Sequence, residues 1–555
     1  MNLRKILILL FLIPLVLTTN AQNDKKVVKN VIMMITDGTS VDVLSLARWY
    51  KGGPLAVDSI ICGLIKTNSS DSTIADSAPA ATAYSTGYKS KAGYVGVSGD
   101  SILPKITVLE VAKIKGKSTG IIVTCENPHA TPAAFSSHTQ WRRDYEAINE
   151  QQVFNNLDVV FSGGGYDFLN KSVFDKNKCM NPLRADKMNL RDSLIKLGYN
   201  FISSKAEFLK LGKNSKVWGS FNSDTINLAN DFDNRKKPAE KQTPNLSETT
   251  KKAIDILSQN KEGFFLMVEG SKVDFASHNN DPIGVLTEFL AFDSAVSVAL
   301  DFAKKHGNTV VIVCPDHGNG GMSIGNDQTN NNYNKTKYPE IISNLKKVKL
   351  TAEGLSFYIS KMIINNGLDT TRLFYVIDSL YNTKMDGFEK FVLLNAIENN
   401  KNCLVDPIQR IFGKVLSRWA KIGWTTEGHT GEDVFMGIYH PYGYRLSGVV
   451  ENTDISNYVS EVLALGNLKE ESKKYFCNSK NIFSADRFKV TIDKSKLFAE
   501  ELNGEKTFLF PVNRNYFLLN DLKNASKSRK IQLKTLCVFV NNAFYIPVEV
   551  KEYLK

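Results

Sequence analysis

The 555-residue sequence has few cysteines, and they form no pattern. There are seven, an odd number, without a Cys-x-x-Cys pair or a regular spacing. At least one thiol is therefore free or intermolecular, and no disulfide framework can be assigned. Cys125 and Cys314 lie at the ends of apolar runs, which favours buried thiols over members of a bridge.

The sequence also lacks a concentrated basic patch with interleaved aromatic residues, although its formal net charge is +12. Such a patch is typical of nucleic-acid-binding proteins, so no nucleic-acid partner is indicated. The positive balance suits an anionic substrate or surface, and a solvated lysine-rich surface explains it equally well. Hydrophobic residues make up 43% and charged residues 23% of the chain, which predicts a globular protein without extensive disorder.

Long apolar runs are lacking beyond the N-terminus. There, Arg4 and Lys5 precede an apolar run at residues 6–17 and a small-residue cleavage site at residues 19–21. We interpret residues 1–21 as a secretory signal peptide rather than a membrane anchor, because the run is too short to span a bilayer comfortably. We expect the mature protein to be exported, periplasmic or extracellular, and to have no membrane span.

Four near-continuous apolar segments predict buried β-strands. They are residues 27–36, 118–124, 263–268 and 308–314. Helical patterns at residues 107–115 and 286–305 alternate with these segments. We therefore predict an α/β fold with a doubly wound, mostly parallel central sheet and helices on both faces.

Two segments differ from this alternating pattern. Residues 326–424 begin with an Asn- and Lys-rich stretch and continue with helical periodicity, which predicts an insertion over the edge of the sheet or over the site. Residues 468–555 contain short alternating or β-branched runs, which predict a small β-rich C-terminal module of unknown role. The main domain would then span residues 22–467.

Carboxylates follow three of the predicted strands: Asp37, Glu269 and Asp316. Because the carboxyl ends of parallel strands meet at one edge of a sheet, we expect these side chains to converge. Carboxylates gathered in a partly buried place repel one another and need either raised pKa values or cations. His317, directly after Asp316, favours cations.

Further residues of metal-ligand type lie nearby in the sequence. Asp274 and His278 are spaced i and i+4, which puts them on one face of any helix after Glu269, although an ordinary surface pair has the same spacing. His429 lies in a Gly-rich loop. Aspartate with histidine suits zinc, whereas carboxylate with a hydroxyl such as that of Thr131 suits magnesium.

Ser77 lies where a polar loop runs into a small-residue segment of high helix propensity. It is therefore predicted at or near a helix N-terminus, where free backbone N–H groups and the helix dipole favour negative charge. That position suits an alkoxide or a phosphate. By itself it would also suit an ordinary helix cap, and the acidic residues and histidines elsewhere in the chain favour the functional interpretation.

Seven motifs occur together in the sequence: ITDG (35–38), ADSAPAATAYSTG (75–87), HATPAA (129–134), SGGG (162–165), VEGSKVDFASH (268–278), PDHG (315–318) and EGHTG (427–431). By this set and its order the chain resembles the alkaline phosphatase family, over most of the main domain. The resemblance implies a secreted, metal-dependent phosphomonoesterase that acts on small phosphate monoesters with two zinc ions and one magnesium ion. It also suggests a homodimer, although the insertion could alter the interface.

The resemblance further implies a role for each matching residue. The implied nucleophile is Ser77, which would form a phosphoserine intermediate. The implied ligands are Asp274, His278 and His429 for one zinc, Asp37, Asp316 and His317 for the second zinc, and Asp37, Thr131 and Glu269 for magnesium. Arg142 would bind the phosphoryl group, with Arg143 as the adjacent alternative. His129 would contact the third metal or its waters, or simply fill space.

Three other functions are weighed against this one. A phosphodiesterase of the same superfamily is disfavoured by Arg142, because a diester has one oxygen fewer to bind. A non-catalytic phosphate-binding protein is disfavoured because Ser77 and all the ligand positions are kept. Pro79 is similar to the proline of the sulfatase motif Cys/Ser-x-Pro-x-Arg, but Ala81 stands in place of the arginine, so a sulfatase is disfavoured.

Overall fold

The computed structural model describes residues 27–164, 188–221, 242–400 and 404–554. The predicted signal peptide (residues 1–21), Gly165 of the SGGG motif, Cys179 and Cys403 lie outside the described residues. Cys125 and Cys314 are buried free thiols, as predicted from the apolar runs that they end.

Twenty-one strands occur in the described residues: β1 Asn30–Thr36, β2 Ile61–Lys66, β3 Ser118–Glu126, β4 Val159–Gly163, β5 Asn200–Ile202, β6 Val217–Ser220, β7 Phe264–Gly270, β8 Thr309–Cys314, β9 Gly318–Asn319, β10 Ser323–Ile324, β11 Ile422–Gly423, β12 His429–Thr430, β13 Val434–Tyr439, β14 Gly448–Glu451, β15 Cys477–Asn478, β16 Phe488–Ile492, β17 Lys496–Glu501, β18 Lys506–Pro511, β19 Arg514–Asp521, β20 Arg529–Val540 and β21 Ala543–Ile546.

The α-helices of the described residues are α1 Asp42–Lys51, α2 Ser77–Thr86, α3 Val108–Ile114, α4 Ala130–Ser136, α5 Tyr145–Asn155, α6 Leu190–Lys196, α7 Lys205–Leu209, α8 Leu246–Leu257, α9 Lys272–His278, α10 Pro282–His306, α11 Tyr338–Lys347, α12 Ala352–Asn366, α13 Thr370–Tyr381, α14 Gly387–Asn399, α15 Val405–Ala420, α16 Asn452–Val462 and α17 Leu468–Tyr475.

The central sheet has ten strands in the order β14-β2-β13-β8-β1-β7-β3-β4-β6-β5. All neighbouring pairs are parallel except those of β13, which runs antiparallel to both β2 and β8. The four strands predicted from apolar runs are β1, β3, β7 and β8, and they lie side by side in the middle of the sheet. The predicted mostly parallel, doubly wound sheet is confirmed.

The residues of β1 show how the two faces of the sheet are covered. Ile32 and Met34 belong to the core that includes α8, α10 and the insertion helices. Met33 and Ile35 belong to the core on the opposite face, with α2, α4 and α16. Because side chains alternate along a strand, a strand buried on both faces is apolar at successive positions, as β1 is from Val31 to Ile35.

Helix α10 is the longest of the described helices, and Asp281 caps it by accepting a hydrogen bond from the backbone N–H of Ile283 at 3.1 Å. By length and composition alone it could cross a membrane, and 72% of its apolar stretch is buried inside the structure. This burial in the core explains the apolar sequence without a membrane.

The predicted insertion contains helices α11–α15, between β10 and β11. Helices α12 and α14 contain the stretches of helical periodicity predicted in the insertion, residues 355–364 and 388–397. Their buried residues, including Leu355 and Leu393, join the core on the α10 side of the central sheet. The insertion is therefore packed into the main core through part of each helix.

The C-terminal residues form a second, seven-stranded sheet in the order β15-β21-β20-β19-β18-β17-β16, antiparallel throughout. Its core is rich in phenylalanine, with the rings of Phe510 and Phe517 stacked at 4.7 Å. Helix α17 precedes this sheet and packs on the main core instead. Arg514 of β19 forms an ion pair with Glu150 of α5, which attaches the sheet to the main domain.

Candidate active site

Three strand ends bring the predicted carboxylates together. Glu269 of β7 pairs with Ile35 of β1, and Asp37 lies two residues after Ile35 in the chain. Cys314 of β8 also pairs with Ile35, and Asp316 follows it by two residues. The backbone N–H of Gly38 donates to Asp316 Oδ1 at 3.1 Å, which ties the two loops together. All three carboxylates are fully buried.

Ser77 is the first residue of α2, as its sequence predicted. The N-cap is Asp76, and the serine side chain is 1% exposed. Its Oγ atom lies 3.1 Å from Nε2 of His317. The hydroxyl is therefore both at a helix N-terminus, where negative charge is favoured, and beside the residues of the acidic cluster.

Two groups of aspartate and histidine lie next to each other. Asp274, His278 and His429 form one group, and Asp37, Asp316 and His317 form the other. In each group, the potential ligand atoms all lie within 4.8 Å of one another. The rings of His317 and His429 stack with centroids 3.8 Å apart, so the two groups adjoin.

The hydrogen bonds of the three histidines orient their Nε2 atoms. Nδ1 of His278 lies 2.6 Å from the carbonyl oxygen of Glu427, and Nδ1 of His429 lies 2.8 Å from that of Ala75. Nδ1 of His317 lies 3.1 Å from the carbonyl of Gly318. A carbonyl only accepts, so each Nδ1 donates a proton and each neutral ring keeps a lone pair on Nε2. This is the tautomer that a metal-binding histidine needs.

A third group surrounds Glu269. Cys125, His129 and Glu269 offer ligand atoms within 4.8 Å of one another. Within the described residues, both oxygens of Asp37, Thr131 Oγ1, Glu269 Oε1 and His129 Nδ1 are buried without a hydrogen-bond partner. Buried polar atoms are rarely left without partners, so this set of oxygen and nitrogen donors fits a bound cation.

The pKa values of the carboxylates reflect their crowding. Burial, followed by the charge of Asp316, raises the pKa of Asp37 well above its usual range. Burial and Asp316 also raise the pKa of Glu269 to about 8. Burial acts in the same direction on the pKa of Asp274, but the hydrogen bond and charge of His278 outweigh it and lower that pKa. In both cases a bound cation would relieve the repulsion between the carboxylates, which is the alternative that the sequence favours.

Arg142 is half-buried and contacts Asp76, the residue before Ser77, whereas Arg143 is exposed. The guanidinium forms an ion pair with Asp76, and its Nη2 atom lies 3.2 Å from His129 Nε2. The backbone N–H of Arg142 donates to the carbonyl of Gly93 at 2.8 Å. Arg143 also lines the cavity at this site, so the choice of Arg142 as the phosphate-binding arginine stays a prediction.

A cavity of about 870 Å³ opens over these residues. Ser77, Arg142 and His429 line it, and so do Asp406 and Arg410 of the insertion helix α15. The insertion therefore forms part of the wall of the same cavity. A phosphate group is much smaller than this space, so the cavity has room for a leaving group as well.

Sequence reasoning missed several residues of the cavity. Asp76 could have been found, because it precedes Ser77 at the predicted helix start. Lys272 is 3% exposed and lines the cavity, and its Nζ has no hydrogen-bond partner among the described residues. Tyr145 donates to Glu126 at 3.1 Å. No sequence signal distinguishes these last residues from ordinary ones.

The fold and the site define a class, the α/β proteins with a helix-start serine beside aspartate–histidine metal groups. The family model described as alkaline phosphatase matches residues 28–465. Alkaline phosphatase 3 of Bacillus subtilis (strain 168) is 34% identical over 463 residues, covering 80% of this chain and 92% of that protein. The chain belongs to the alkaline phosphatase family, whose members are metal-dependent phosphomonoester hydrolases.

Solved structures agree with this assignment. A cold-active alkaline phosphatase from a psychrophilic Shewanella sp. superposes with a TM-score of 0.64 at 27% identity, covering 78% of this chain and 99% of that one. The fold is also that of the Thermus thermophilus alkaline phosphatase, with a TM-score of 0.66, 23% identity and coverage of 80% and 92%. The family match ends before the C-terminal sheet begins.

Proposed function

We propose that the chain hydrolyses phosphate monoesters through a phosphoserine intermediate on Ser77. The observation that carries the proposal is the position of Ser77 Oγ, at a helix start and 3.1 Å from Nε2 of His317, a member of one of the two aspartate–histidine groups. All the proposed site residues lie between positions 37 and 429. We therefore assign the activity to a catalytic domain of residues 22–467, with an insertion at about 326–424, and none to the module of residues 468–555.

We propose the three cation sites that the family resemblance implies, because the donor atoms present fit them. They are Asp274, His278 and His429 for one zinc, Asp37, Asp316 and His317 for a second zinc, and Asp37, Thr131 and Glu269 for magnesium. The buried donor atoms without partners and the Nδ1-protonated histidines support these sites. When bound, the cations would lower the pKa of a hydroxyl or a water and stabilise charge on the attacking and leaving oxygens.

The residues of the chain then have separate tasks. Ser77 Oγ attacks the phosphorus and loses its proton, while the ester oxygen leaves and takes up a proton as the free alcohol. Water then attacks the phosphoserine, which releases phosphate and restores the Ser77 hydroxyl. The N–H groups at the start of α2 favour the negative charge that is present throughout.

Arg142 would bind two phosphoryl oxygens through its planar guanidinium. It is already oriented by Asp76 and by the backbone of Gly93. A monoester offers three non-bridging oxygens and a diester only two, so a guanidinium here together with the cations favours a monoester. His129, in contact with Arg142, would act as a neighbour of the third cation and of this arginine.

We also infer that the chain is exported, to the periplasm or the extracellular space, after removal of residues 1–21. The apolar run behind two basic residues supports this inference. Determination of the N-terminus of the expressed protein tests it, with a start at residue 22 expected. A homodimer is expected from the family resemblance, and light scattering of the purified chain measures the mass directly.

The activity is tested with p-nitrophenyl phosphate and bis-p-nitrophenyl phosphate. We expect a preference for the monoester, loss of turnover on chelation, and recovery with zinc plus magnesium. Ser77→Ala should abolish turnover and the acid-trapped phosphopeptide. Ser85→Ala is the matched control, because Ser85 is also buried in α2 but donates to the carbonyl of Ala134.

Two outcomes would contradict the proposal. A preference for the diester would assign the chain to the phosphodiesterases of the superfamily. Absence of metal-dependent turnover of both esters, together with retained phosphate binding, would indicate a non-catalytic phosphate-binding protein.

A further inference from the structure

The group formed by Asp274, His278 and His429 is built from two separate segments of the chain. His278 ends helix α9, which follows the central strand β7. His429 lies in the short strand β12, after the insertion. The two segments must be held in a fixed relation for both histidines to face one cation. Helix α15, the last helix of the insertion, contacts both.

The first contact is between α15 and the turn that directly follows His278. Gly413 lies so close to this turn that a β-carbon there would be 2.0 Å from the carbonyl oxygen of Asn279. One helical turn later, the Ser417 hydroxyl donates to the carbonyl of Asn280 at 2.7 Å. The end of the histidine-bearing helix is thus held against α15 by its backbone.

The second contact is between α15 and the loop that leads to His429. The same Ser417 hydroxyl accepts a hydrogen bond from Trp424 Nε1 at 2.8 Å. Lys414 Nζ lies 2.5 Å from Oε1 of Glu427, and Arg410 Nη1 lies 3.4 Å from Oε2 of the same residue. Ser417, which is 4% exposed, therefore connects both segments through one oxygen atom.

This loop also orients His278 directly. The carbonyl of Glu427 accepts the proton on His278 Nδ1 at 2.6 Å, and His278 Nε2 then lies 3.4 Å from Asp274 Oδ2. A shift of the loop away from α9 would lengthen the hydrogen bond to His278. It would also move His429, two residues further along the chain. The positions of the Nε2 atoms of His278 and His429 therefore both depend on the distance between α9 and this loop.

We propose that Ser417 is a positioning residue for the cation held by Asp274, His278 and His429, and that the insertion acts on this group through Ser417 and Glu427. The inference rests on the proposed function only in that this group binds a cation. Partners that orient metal ligands typically change metal affinity by about 10–100-fold when they are removed. Loss of the Ser417 hydroxyl leaves a buried carbonyl and a partly buried indole N–H without this partner, which we expect to displace both segments.

The test is a zinc titration of the metal-free full-length chain against a chromophoric chelator. Ser417→Ala should weaken one class of zinc site by about 10–100-fold and leave the others unchanged. Ser417→Thr keeps the hydroxyl and should restore the affinity. Ser356→Ala is the matched control, because Ser356 is a buried serine of α12 that donates within its own helix, to Ala352. Its zinc affinity should equal that of the wild type.

The same substitution made in a His278→Ala variant identifies the zinc site that Ser417 affects. His278→Ala removes one ligand of the group, so Ser417→Ala should cause no further loss of zinc affinity in that variant. Where Ser417→Ala does not fold, Lys414→Ala tests the same loop, because its side chain is 60% exposed and its removal leaves the core intact. Zinc affinity unchanged in the serine variant, or lowered equally at all sites, would overturn the proposal. Zinc binding without turnover would refute the proposed function and not this inference.

Discussion

Asp76 and Arg142 form an ion pair directly beside Ser77, and both residues are tied to Gly93. Asp76 Oδ2 accepts from the N–H of Gly93 at 3.0 Å, and the N–H of Arg142 donates to the carbonyl of Gly93 at 2.8 Å. Burial acts to raise the pKa of Asp76, but the charge of Arg142, the hydrogen bond from Gly93 and the charges of His317 and His429 together lower it. The carboxylate therefore stays charged and holds the guanidinium in place.

Asp76→Asn should weaken the binding of inorganic phosphate. The amide keeps the shape of the side chain but loses the charge that orders Arg142, and ordering such a side chain on binding costs about 0.5–1.5 kcal/mol. We expect the inhibition constant of phosphate to rise by roughly 2–10-fold, since about 1.4 kcal/mol corresponds to tenfold. Asp71→Asn, in the preceding loop, is the control and should not change it. Unchanged or tighter phosphate binding in Asp76→Asn would contradict this role.

Arg142→Lys should lower kcat/KM for a monoester by about 10–100-fold, because an ammonium group cannot replace two parallel hydrogen bonds of a guanidinium worth about 1.5–3 kcal/mol. Arg143→Lys should change it less than twofold, as expected for an exposed side chain whose charge is kept. Initial rates on p-nitrophenyl phosphate measure both. Equal losses in the two variants would mean that the phosphoryl group lies between the arginines.

The carboxylate cluster could be predicted from the sequence because only a few inferences lead from the hydrophobic pattern to the positions of the side chains. An apolar run predicts a central strand, parallel strands share an edge, and Asp37, Glu269 and Asp316 therefore meet. The first and last residues of the strands and helices were harder to predict. Strand β1 begins at Asn30, three residues after the apolar run starts, because the N–H of Val28 donates to Val462 of α16 at 2.8 Å instead of to a neighbouring strand.

The insertion illustrates what sequence patterns do not contain. Its helices could be predicted from periodicity, but the contacts of Gly413 and Ser417 with the metal-binding segments could not. The contacts with the turn after His278 join residues more than a hundred positions apart, and they depend on how α15 packs. The same holds for Lys272, whose burial follows from its neighbours in space. Tertiary packing decides such positions.

The metal-free protein should lose stability as the pH rises from about 5 to 8. Glu269 has a pKa of about 8 in the folded chain against an ordinary value of 4.5, so the folded state binds more protons than the unfolded state in this window. The free energy of unfolding then falls by up to about 1.4 kcal/mol per pH unit. The lowered pKa of Asp274 acts below pH 3.8 and does not affect this window.

Urea unfolding of the metal-free chain at several pH values measures this dependence. Glu269→Gln should reduce the slope without removing it, because the pKa of Asp37 is also raised, whereas Glu262→Gln, at an exposed position, should leave the curve as in the wild type. Zinc and magnesium should remove most of the dependence, because a bound cation stabilises the ionised carboxylates. A rise in stability across this range would show that Glu269 ionises normally in the folded chain.

Gly38→Ala should disturb the metal group of Asp274 through the loop that follows β1. Gly38 has a φ of +61°, and a β-carbon there would lie 2.4 Å from Asp274 Oδ1 and 2.8 Å from its Cα. Alanine in this conformation costs about 1–2 kcal/mol, and the contact in addition forces helix α9 outward. We expect lower thermal stability together with weaker zinc binding by the group of Asp274.

Gly52→Ala separates these two effects. Gly52 also has a positive φ, of +74°, but a β-carbon there would meet nothing within 4 Å. This variant should lose about 1–2 kcal/mol of stability and bind zinc like the wild type. Thermal unfolding and zinc titration of both variants measure the difference. If both lose stability equally and keep their zinc affinity, then helix α9 adapts to the added methyl group, and the close approach of Gly38 to Asp274 does not control the cation.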